Sequence, residues 1–366
     1  MPMDGILVSQ DLRALVQSGG IRALHPVRPA QLQPSSLDLR LGARLWMLQC
    51  SFLPGHAGLS RRLGRLALDE FKLDADRPFV LRSGAVYLAE LEEVLELPAD
   101  VWGRANPKSS TGRLDMFVRL LTEHGHAFDR VPAGYHGRIF LEITAQSFHV
   151  AVRRGDCLGQ LRLARGRPRL DNAELTSLQG DRPVVSWSDG RPAPVSDDDD
   201  APGIQLSVDL HDGDDGVVGY LAQRHRPVID LARRDLDRDR YWTPLPADPA
   251  NDGHVLEPEQ FYIYATRERL RIPSHLCAEL VPYDATKGEL RTHYAGFIDS
   301  GFGVDGDGAG ARLVLEIRTH DVPFLLEHGQ PLFRIELLRN RDVPDTIYGA
   351  GSHYQMQGLK LAKQFR

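Results

Sequence analysis

The amino-acid sequence predicts an all-β protein built from two tandem domains, each a β-barrel or jelly roll, with a short helix near the N-terminus. Two observations lead to this prediction. The chain consists largely of short apolar runs separated by Gly, Pro and Asp, and a series of segments in its first half returns in the same order in its second half. A length of 366 residues is also enough for two domains, each with its own core.

The predicted helix begins near Ser9, a residue type that often caps helix N-termini. Leu12 and Val16 follow at helical spacing, and Gly19 and Gly20 mark the end of the helix. Helical patterns are scarce in the rest of the chain.

The strands are predicted where apolar residues alternate with polar ones or form short buried runs. In the first half such runs cover 86–88, 137–143, 148–152 and 158–163. Because many short strands follow one another with turns between them, a barrel or jelly roll is favoured in each half.

Four pairs of segments define the internal repeat. They are 34–39 with 205–210, 96–98 with 271–273, 141–143 with 315–317, and Gly155 with Gly329. The shared order and similar spacing predict two copies of one domain. Between them, the Pro- and Asp-rich stretch 191–203 is interpreted as a solvated linker, which gives domains at 1–190 and 204–366.

Charge and composition narrow the set of partners. The chain has 44 Lys and Arg against 50 Asp and Glu, a net charge of −6, which argues against a large duplex nucleic-acid surface. No apolar run approaches the length of about 18 residues that a membrane helix needs, and Asp4 lies where a signal peptide would be apolar. We therefore expect a small-molecule substrate, no nucleic-acid or membrane partner, and a cytoplasmic location.

The cysteines indicate which metal chemistry to expect. Cys50, Cys157 and Cys277 are isolated from one another and form no C-x-x-C pair. The sequence therefore predicts neither a disulfide framework nor a cysteine-rich zinc site.

A polar segment from Asn106 to Arg113 is the first candidate for chemistry. Lys108, Ser109, Ser110 and Arg113 bring two hydroxyls and two cations into six residues, and these groups can bind a polyphosphate. A Ser-rich turn that starts a short helix is the structural alternative.

Two strand glutamates are the second candidate. Glu142 and Glu316 each lie between two apolar strand residues, so their side chains point to the opposite face of the strand. A carboxylate inside a small barrel must be paired or must have its pKa raised by burial, and either condition suits proton transfer. Asp299, by contrast, fits the turn of a Gly-rich hairpin.

Taken together, these motifs resemble the dCTP deaminases of the trimeric dUTPase superfamily. The matching segments are Q-P-S-S-L-D-L-R-L-G at 33–42, K-S-S-T-G-R at 108–113, G-D-C-L-G-Q-L at 155–161, A-G-F-I-D-S-G-F-G at 295–303, H-Y-Q-M-Q-G at 353–358 and the two L-E-I strands. Members of the family are normally single domains of about half this length, so the chain resembles a tandem form with two dUTPase-like domains.

The resemblance implies hydrolytic deamination of dCTP to dUTP and ammonia, with a glutamate as general base and no catalytic metal. Mg²⁺ would enter with the triphosphate, on oxygen ligands. The implied phosphate-binding residues are Lys108, Ser109, Ser110 and Arg113, of which Ser110 and Arg113 also hold the water, and Gln160 of the late strand also binds substrate. The backbone near Ala295 would contact the base and Asp299 the 3′-hydroxyl, while Tyr354 and Gln357 close over the nucleotide.

The two copies have changed in complementary ways. In the alignment, Pro132 replaces Asp299 in the first copy, whereas residues 283–288 replace the phosphate motif and Arg334 replaces Gln160 in the second. The superfamily builds its sites between neighbouring domains, so the resemblance implies a homo-oligomer with composite sites, in which Glu316 or Glu142 is the base.

Two alternatives stay open. A dUTP pyrophosphatase, or an enzyme with both activities, would use the same fold, because an Asp in the hairpin of Asp299 activates water in the pyrophosphatases of this superfamily. A non-catalytic nucleotide-binding module is the other alternative.

Overall fold

The structure is a computed structural model that describes most of the chain. The described residues are 4–180, 182–198, 201–248, 253–281, 290–292, 296–304, 308–319, 321–349, 352 and 354–366. They form two compact units. The first unit comprises Met1–Pro168, His225–Arg233 and Asn340–Thr346, and the second comprises Arg169–Arg224, Arg234–Arg339 and Ile347–Arg366.

The first unit is mainly β-structure with three helices in its described part. Its strands are β1 (Gly5–Ile6), β2 (Ile21–Ala23), β3 (Leu37–Leu48), β4 (Ala67–Lys72), β5 (Phe79–Leu81), β6 (Val86–Glu96), β7 (Val101–Pro107), β8 (Met116–Thr122), β9 (Arg130–Val131), β10 (His136–Ala145), β11 (Val150–Val152), β12 (Cys157–Arg165) and β16 (Ile229–Asp230). Its helices are α1 (Ser9–Gln17), α2 (Leu59–Leu66) and α3 (Ser109–Gly112). The predictions of an all-β fold and of the N-terminal helix are confirmed, whereas α2 was not expected.

The second unit adds one described helix, α4 (Asn172–Leu178), to a second set of strands. These are β13 (Val185–Ser186), β14 (Ile204–Asp209), β15 (Val217–Ala222), β17 (Trp242–Pro246), β18 (Gly253–Leu256), β19 (Phe261–Leu270), β20 (Leu276–Val281), β21 (Leu290–Thr292), β22 (Phe297–Ile298), β23 (Ala311–Thr319), β24 (Phe324–Glu327) and β25 (Pro331–Arg339). No helix in the described ranges is long and apolar enough to cross a membrane.

Seven strands follow the same order in both units, as the internal repeat predicts. The orders are β8-β10-β6-β3-β12-β7-β9 in the first unit and β21-β23-β19-β14-β25-β20-β22 in the second. Buried aliphatic and aromatic side chains fill the inner face, among them Tyr264, Leu315 and Ile335 in the second unit. Each large apolar side chain buried in this way contributes about 1.5–3 kcal/mol.

The strand register corrects one part of the sequence alignment. Asp38 of β3 lies opposite Gln160 of β12, and Gln205 of β14 lies opposite Arg334 of β25. Gln160 and Arg334 are repeat partners, so the structure equates Asp38 with Gln205, four positions before Asp209. The alignment of 34–39 with 205–210 is therefore wrong.

The predicted domain boundary also differs from the structure. The units divide at Pro168 and Arg169, so the stretch 191–203 lies inside the second unit rather than between two domains. Its described backbone is hydrogen-bonded there, from the Ala193 amide to the Val185 carbonyl at 3.0 Å and from the Ser196 amide to the Gly203 carbonyl at 2.8 Å. The first unit in turn includes two segments from the C-terminal half of the sequence.

The N-terminus of α1 shows a smaller difference from the sequence prediction. Ser9 is the first helical residue rather than the cap, and its hydroxyl contacts Asp345. The Asp11 carboxylate accepts a hydrogen bond from the Val8 amide at 3.2 Å, which satisfies one of the free donors at this end of the helix.

Candidate active site

The predicted phosphate motif follows directly after β7. Lys108 is in an extended conformation, and its carbonyl accepts hydrogen bonds from the Thr111 amide at 2.8 Å and the Gly112 amide at 3.0 Å. The short helix α3 therefore begins at Ser109, as the structural alternative predicts. Ser109 and Ser110 remain half-buried on this turn, where their hydroxyls can meet a ligand.

Three neighbouring strands place polar side chains beside this turn. Gln160 of β12 lies directly opposite Asp38 of β3 on one side and opposite Asn106 of β7 on the other. Directly paired residues of antiparallel strands share one face of the sheet. The Gln160 amide donates to the Pro107 carbonyl at 3.3 Å, so the sheet brings Gln160 to the residue that precedes Lys108.

Asp38 is a member of this group that sequence reasoning did not single out. The carboxylate is buried and pairs with the Lys108 ammonium. Such a pair holds the ammonium in one place and leaves less net positive charge for the phosphates. A lone carboxylate between Leu37 and Leu39 in an apolar strand was the available signal.

Arg113 lies at the end of the same turn and is only 2% exposed. Its amide donates to the Ser109 carbonyl at 3.1 Å. The structure thus brings the four predicted phosphate-binding residues and Gln160 to one junction of β7, α3 and β12, and the Arg113 guanidinium is the most deeply buried of their charged groups.

The two strand glutamates occupy equivalent positions in the two units. Glu142 lies opposite Leu88 of β6, and Glu316 lies opposite Ile263 of β19. Both carboxylates are buried, with exposures of 2% and 3%. The burial of both carboxylates agrees with the expectation of a carboxylate enclosed within each unit, on the strand face opposite flanking core residues such as Leu315 and Ile317.

Glu142 is engaged by a cation in the first unit. Arg119, directly opposite on β8, donates to one carboxylate oxygen at 2.5 Å, and its guanidinium stacks over the Phe128 ring at 3.8 Å. The other oxygen, Oε2, is buried and makes no hydrogen bond within the described ranges.

The hairpin of the second unit carries Asp299 immediately after β22. The Asp299 carbonyl accepts from the Phe302 amide at 3.1 Å, and the Ser300 hydroxyl donates to the Leu276 carbonyl at 2.7 Å. Gly301 has φ of +92°, and a Cβ there would lie 2.7 Å from the Tyr348 carbonyl oxygen, so the turn requires glycine.

The strand register confirms the alignment of the two hairpins. Val131 of β9 lies opposite Gly103 of β7, and Ile298 of β22 lies opposite Ala278 of β20. The residue after each is Pro132 in the first unit and Asp299 in the second. Of the other predicted residues in this region, Ala295 and the positions 283–288 lie outside the described residues.

The C-terminal segment packs against this hairpin within the second unit. Tyr354 and Gln357 are buried, the Gln357 side chain donates to the Arg312 carbonyl at 3.1 Å, and the Tyr354 hydroxyl accepts from the Lys363 amide at 3.2 Å. Gln355, which sequence reasoning missed, accepts from the Gly303 amide at 3.2 Å and donates to the Gly301 carbonyl at 3.1 Å.

Comparison with known proteins gives consistent results for both halves of the chain. The family model for the N-terminal domain of 2′-deoxycytidine 5′-triphosphate deaminase matches residues 3–167, and the model for its C-terminal domain matches residues 171–365. These limits agree with the boundary between the two units.

Two curated relatives each align with about half of this chain. A dUMP-forming dCTP deaminase of Thermobifida fusca is 32% identical over 157 residues, which are 43% of this chain and 76% of that protein. A dUMP-forming dCTP deaminase of Salinispora tropica is 31% identical over 199 residues, which are 52% of this chain and 99% of that protein.

One solved structure matches nearly the whole chain. The crystal structure of a 2′-deoxycytidine 5′-triphosphate deaminase from Agrobacterium tumefaciens is 38% identical, has a TM-score of 0.84, and covers 93% of this chain and 99% of its own. A protein of the same two-unit length has therefore been observed with this fold.

Proposed function

Because the chain belongs to the 2′-deoxycytidine 5′-triphosphate deaminase family, we propose that it removes the 4-amino group of dCTP by hydrolysis. The products are dUTP and ammonia. The observation that carries the proposal is the division of the family's motif residues between the units. The first unit holds the phosphate motif, and the second holds Asp299 where the first has Pro132.

We propose Glu316 as the general base. A carboxylate in this role takes a proton from water as the water oxygen bonds to C4, and delivers that proton to N3 of the ring. A second proton transfer then lets ammonia leave and the C4 carbonyl form. A positioned carboxylate accelerates such a step by about 10²- to 10⁴-fold.

Glu142 is the weaker candidate for the same role. Arg119 holds one of its oxygens at 2.5 Å and stacks on Phe128, so a proton transfer there would have to disrupt a buried ion pair. We therefore assign Glu142 a structural role in the first unit.

The phosphate motif would bind the triphosphate. Lys108 and Arg113 neutralise charge, while Ser109, Ser110 and Gln160 donate hydrogen bonds. By resemblance to the family, Ser110 and Arg113 also hold the attacking water. The second unit would contribute the Asp299 carboxylate to the 3′-hydroxyl and the tail residues Tyr354 and Gln357, so a complete site requires both kinds of unit, from one chain or from neighbouring copies.

Magnesium would accompany the triphosphate rather than reside in the protein. The described part of the chain contains no cluster of three or more His, Cys, Asp or Glu side chains that could hold a metal ion. The side chains of the phosphate motif are cations and hydroxyls, so phosphate oxygens and water would supply the ligands that Mg²⁺ prefers. When bound, Mg²⁺ would neutralise part of the phosphate charge.

A homo-oligomer and a cytoplasmic location complete the proposal. The expectation of a homo-oligomer comes from the composite site, because the second unit of one copy can complete the phosphate motif in the first unit of a neighbouring copy. Sedimentation velocity of the full chain with and without dCTP tests the first point, and cell fractionation tests the second.

A bifunctional enzyme that continues to dUMP is a second candidate. The curated relatives described above are dUMP-forming dCTP deaminases, and the Asp299 hairpin is retained. An Asp at this place could direct water to the α-phosphorus after deamination.

One assay separates these functions. Purified full-length protein is incubated with dCTP and Mg²⁺, and ammonia and pyrophosphate are measured separately. Ammonia with dUTP supports the deaminase, and ammonia with equal pyrophosphate supports the bifunctional enzyme. In a parallel incubation with dUTP in place of dCTP, pyrophosphate release, with no ammonia released from dCTP, would indicate a pyrophosphatase. Release of neither product from either nucleotide would indicate a non-catalytic nucleotide-binding module.

A further inference from the structure

A polar cavity of about 210 Å³ lies in the second unit, and none of the residues assigned to the active site lines it. Four arginines line it, together with three aspartates, two histidines, Trp187 and Ser188. The charged side chains are Arg191, Arg267, Arg269, Arg312, Asp189, Asp209 and Asp212, and the histidines are His211 and His328. The sequence analysis assigned no role to any of these side chains.

Three arginines share one face of the sheet at this cavity. Arg267 and Arg269 are two positions apart on β19, and Arg269 lies directly opposite Arg312 of β23. Like charges directly opposite each other in an antiparallel pair repel. The three guanidinium groups therefore need nearby negative charge to offset their mutual repulsion.

Carboxylates of the protein compensate only part of this charge. Asp209 accepts from the Arg312 guanidinium at 2.9 Å, and also from the amides of His211 and Asp212 at 3.0 Å each. Asp189 similarly accepts from Arg191 at 2.7 Å. These carboxylates are engaged by the groups beside them.

Arg267 and Arg269 have no such partner. Over the ranges that the structure describes, neither guanidinium lies within ion-pair distance of a carboxylate. Arg269 donates to the Gly310 carbonyl at 3.4 Å, and Arg267 stacks on the Trp187 ring at 4.8 Å. Stacking on an aromatic face fixes the plane of a guanidinium while leaving its N–H edge able to bind an anion.

A glycine makes room for Arg267. A Cβ at Gly329 would lie 2.7 Å from the Arg267 Nη1, and Gly329 has φ of +78°. Any other residue there would displace the guanidinium, so the position of Arg267 depends on the turn before β25.

The first unit carries the opposite charge at the equivalent position. The register equates Arg267 with Glu92, whose carboxylate accepts from Arg154 at 2.7 Å and contacts the His25 ring nitrogen at 3.0 Å. An acid with cationic partners in the first unit thus corresponds to an arginine that, among the described residues of the second unit, has no carboxylate within ion-pair distance. The excess of positive charge is therefore a feature of the second unit.

We propose that this cavity binds a phosphate-type oxyanion, either orthophosphate or diphosphate. Planar guanidinium groups match the geometry of phosphate oxygens and bind them through paired, charge-assisted hydrogen bonds. The volume lies below the range of about 300–1,000 Å³ that is usual for larger organic ligands. The site is separate from the proposed active site, and its existence does not depend on the deaminase activity.

Calorimetric titration of the full-length protein with orthophosphate and with diphosphate tests this proposal. The variants Arg267→Gln and Arg269→Gln should each weaken one binding event by about tenfold or more, the usual cost of losing a charge-assisted hydrogen bond. Arg267→Lys, which keeps the charge but not the paired geometry, should fall between the wild type and Arg267→Gln.

Two controls separate this site from other sources of anion binding. Arg238→Gln alters a half-exposed arginine of the same unit outside the cavity and should leave the titration unchanged. Lys108→Met alters the phosphate motif, so the event that depends on Arg267 should persist in that variant. Circular dichroism and the deamination rate of the Arg267 and Arg269 variants show that they are folded.

Binding of either anion that is lost in the two glutamine variants and kept in Lys108→Met supports the proposal. Titrations that are indistinguishable among wild type, Arg267→Gln and Arg269→Gln would overturn it, as would the loss of all binding in Lys108→Met.

Discussion

Arg40 in the first unit and Ser207 in the second occupy the same register position, and each donates to a buried glutamate. The Arg40 amide and guanidinium both donate to Glu93 at 2.9 Å, whereas the Ser207 amide and hydroxyl donate to Glu268 at 2.8 and 2.7 Å. The hydrogen-bond pattern is therefore conserved between the units while the charge is not. Burial raises the pKa of Glu268, because its direct partner is a hydroxyl instead of a cation.

The same lesson applies to the strand glutamates. Glu142 and Glu316 share a register position, and in the first unit the Glu142 carboxylate accepts from Arg119, whose guanidinium stacks on Phe128. A repeated fold preserves where a side chain points, and its neighbours decide which chemistry it can perform.

The largest effect is expected for the catalytic pair. Glu316→Gln should lower kcat for deamination by about 10²- to 10⁴-fold, because an amide cannot accept the proton from water. Glu142→Gln should stay close to the wild-type rate. Ammonia release by each folded variant checks the pair, and an inactive Glu142→Gln beside an active Glu316→Gln would reverse the assignment of units.

The next effect concerns stability and the cation beside the buried glutamate. Arg40→Ser should lower the free energy of unfolding by about 3–5 kcal/mol, because it leaves the Glu93 carboxylate buried without its cation. Ser207→Ala removes only a hydroxyl donor from Glu268 and should cost about 1 kcal/mol. Urea unfolding of both variants measures the difference, and equal costs would show that Glu93 does not depend on the Arg40 charge.

The hairpin position is expected to give a smaller loss. Asp299→Ala should lower kcat/KM for dCTP by about 10- to 100-fold, the usual cost of losing one hydrogen bond to a charged group. Pro132→Ala, at the equivalent position of the first unit, should leave kcat/KM unchanged. If both variants lost activity equally, the first-unit hairpin would also contact the nucleotide.

The smallest effect is a difference in the pH dependence of stability. The folded-state pKa of Glu268 lies above the ordinary value of 4.5, so its contribution to stability is fully present below that value and is lost as pH rises through the folded-state pKa. In Glu268→Gln the stability should no longer fall as pH rises through the folded-state pKa of Glu268, because the amide does not titrate. Unfolding midpoints of both proteins between pH 4 and pH 8, about the range in which carboxyl and imidazole groups titrate, provide the measurement.

Glu92 of the first unit, next to Glu93 at the position equivalent to Glu268, is a contrasting control for this titration. Burial tends to raise the pKa of Glu92, but hydrogen bonds from His25 and Arg154 outweigh burial and hold the pKa below 4.5. Its stabilising contribution is present above its ordinary pKa and is lost as pH falls through the folded-state pKa. Glu92→Gln should therefore reduce stability at neutral pH, and parallel pH profiles for the two variants would contradict this contrast.

The parts that could be predicted from the sequence were local. Short runs of residues were enough to predict three features: the turn from Lys108 to Arg113, the hairpin of Asp299, and strand glutamates that point away from their apolar neighbours. The register of β3 could not be obtained in this way. The mistaken alignment of Asp38 with Asp209 differs from the observed one by four positions, and an even shift leaves the alternation of inward and outward residues unchanged.

Other features depend on contacts between distant residues. Asp38 of β3 pairs with Lys108 beyond the intervening strand β12, and Arg119 of β8 pairs with Glu142 on the adjacent strand β10, so neither pair shows as a motif. The stretch 191–203 has the composition of a linker, but composition does not show that its backbone pairs with Val185 and Gly203.

The first unit also includes two segments from the second half of the sequence, which are translated after all of its other strands. Its β11 pairs with β16 at Ile229–Asp230, Arg153 binds Asp230 through two hydrogen bonds of 2.6 and 2.9 Å, and the Arg341 amide donates to the Ile6 carbonyl at 2.8 Å. Domains usually fold in order as they leave the ribosome. Here the first unit cannot be completed until residues 340–346 have been synthesised, so its N-terminal strands leave the ribosome long before the segments that complete the unit.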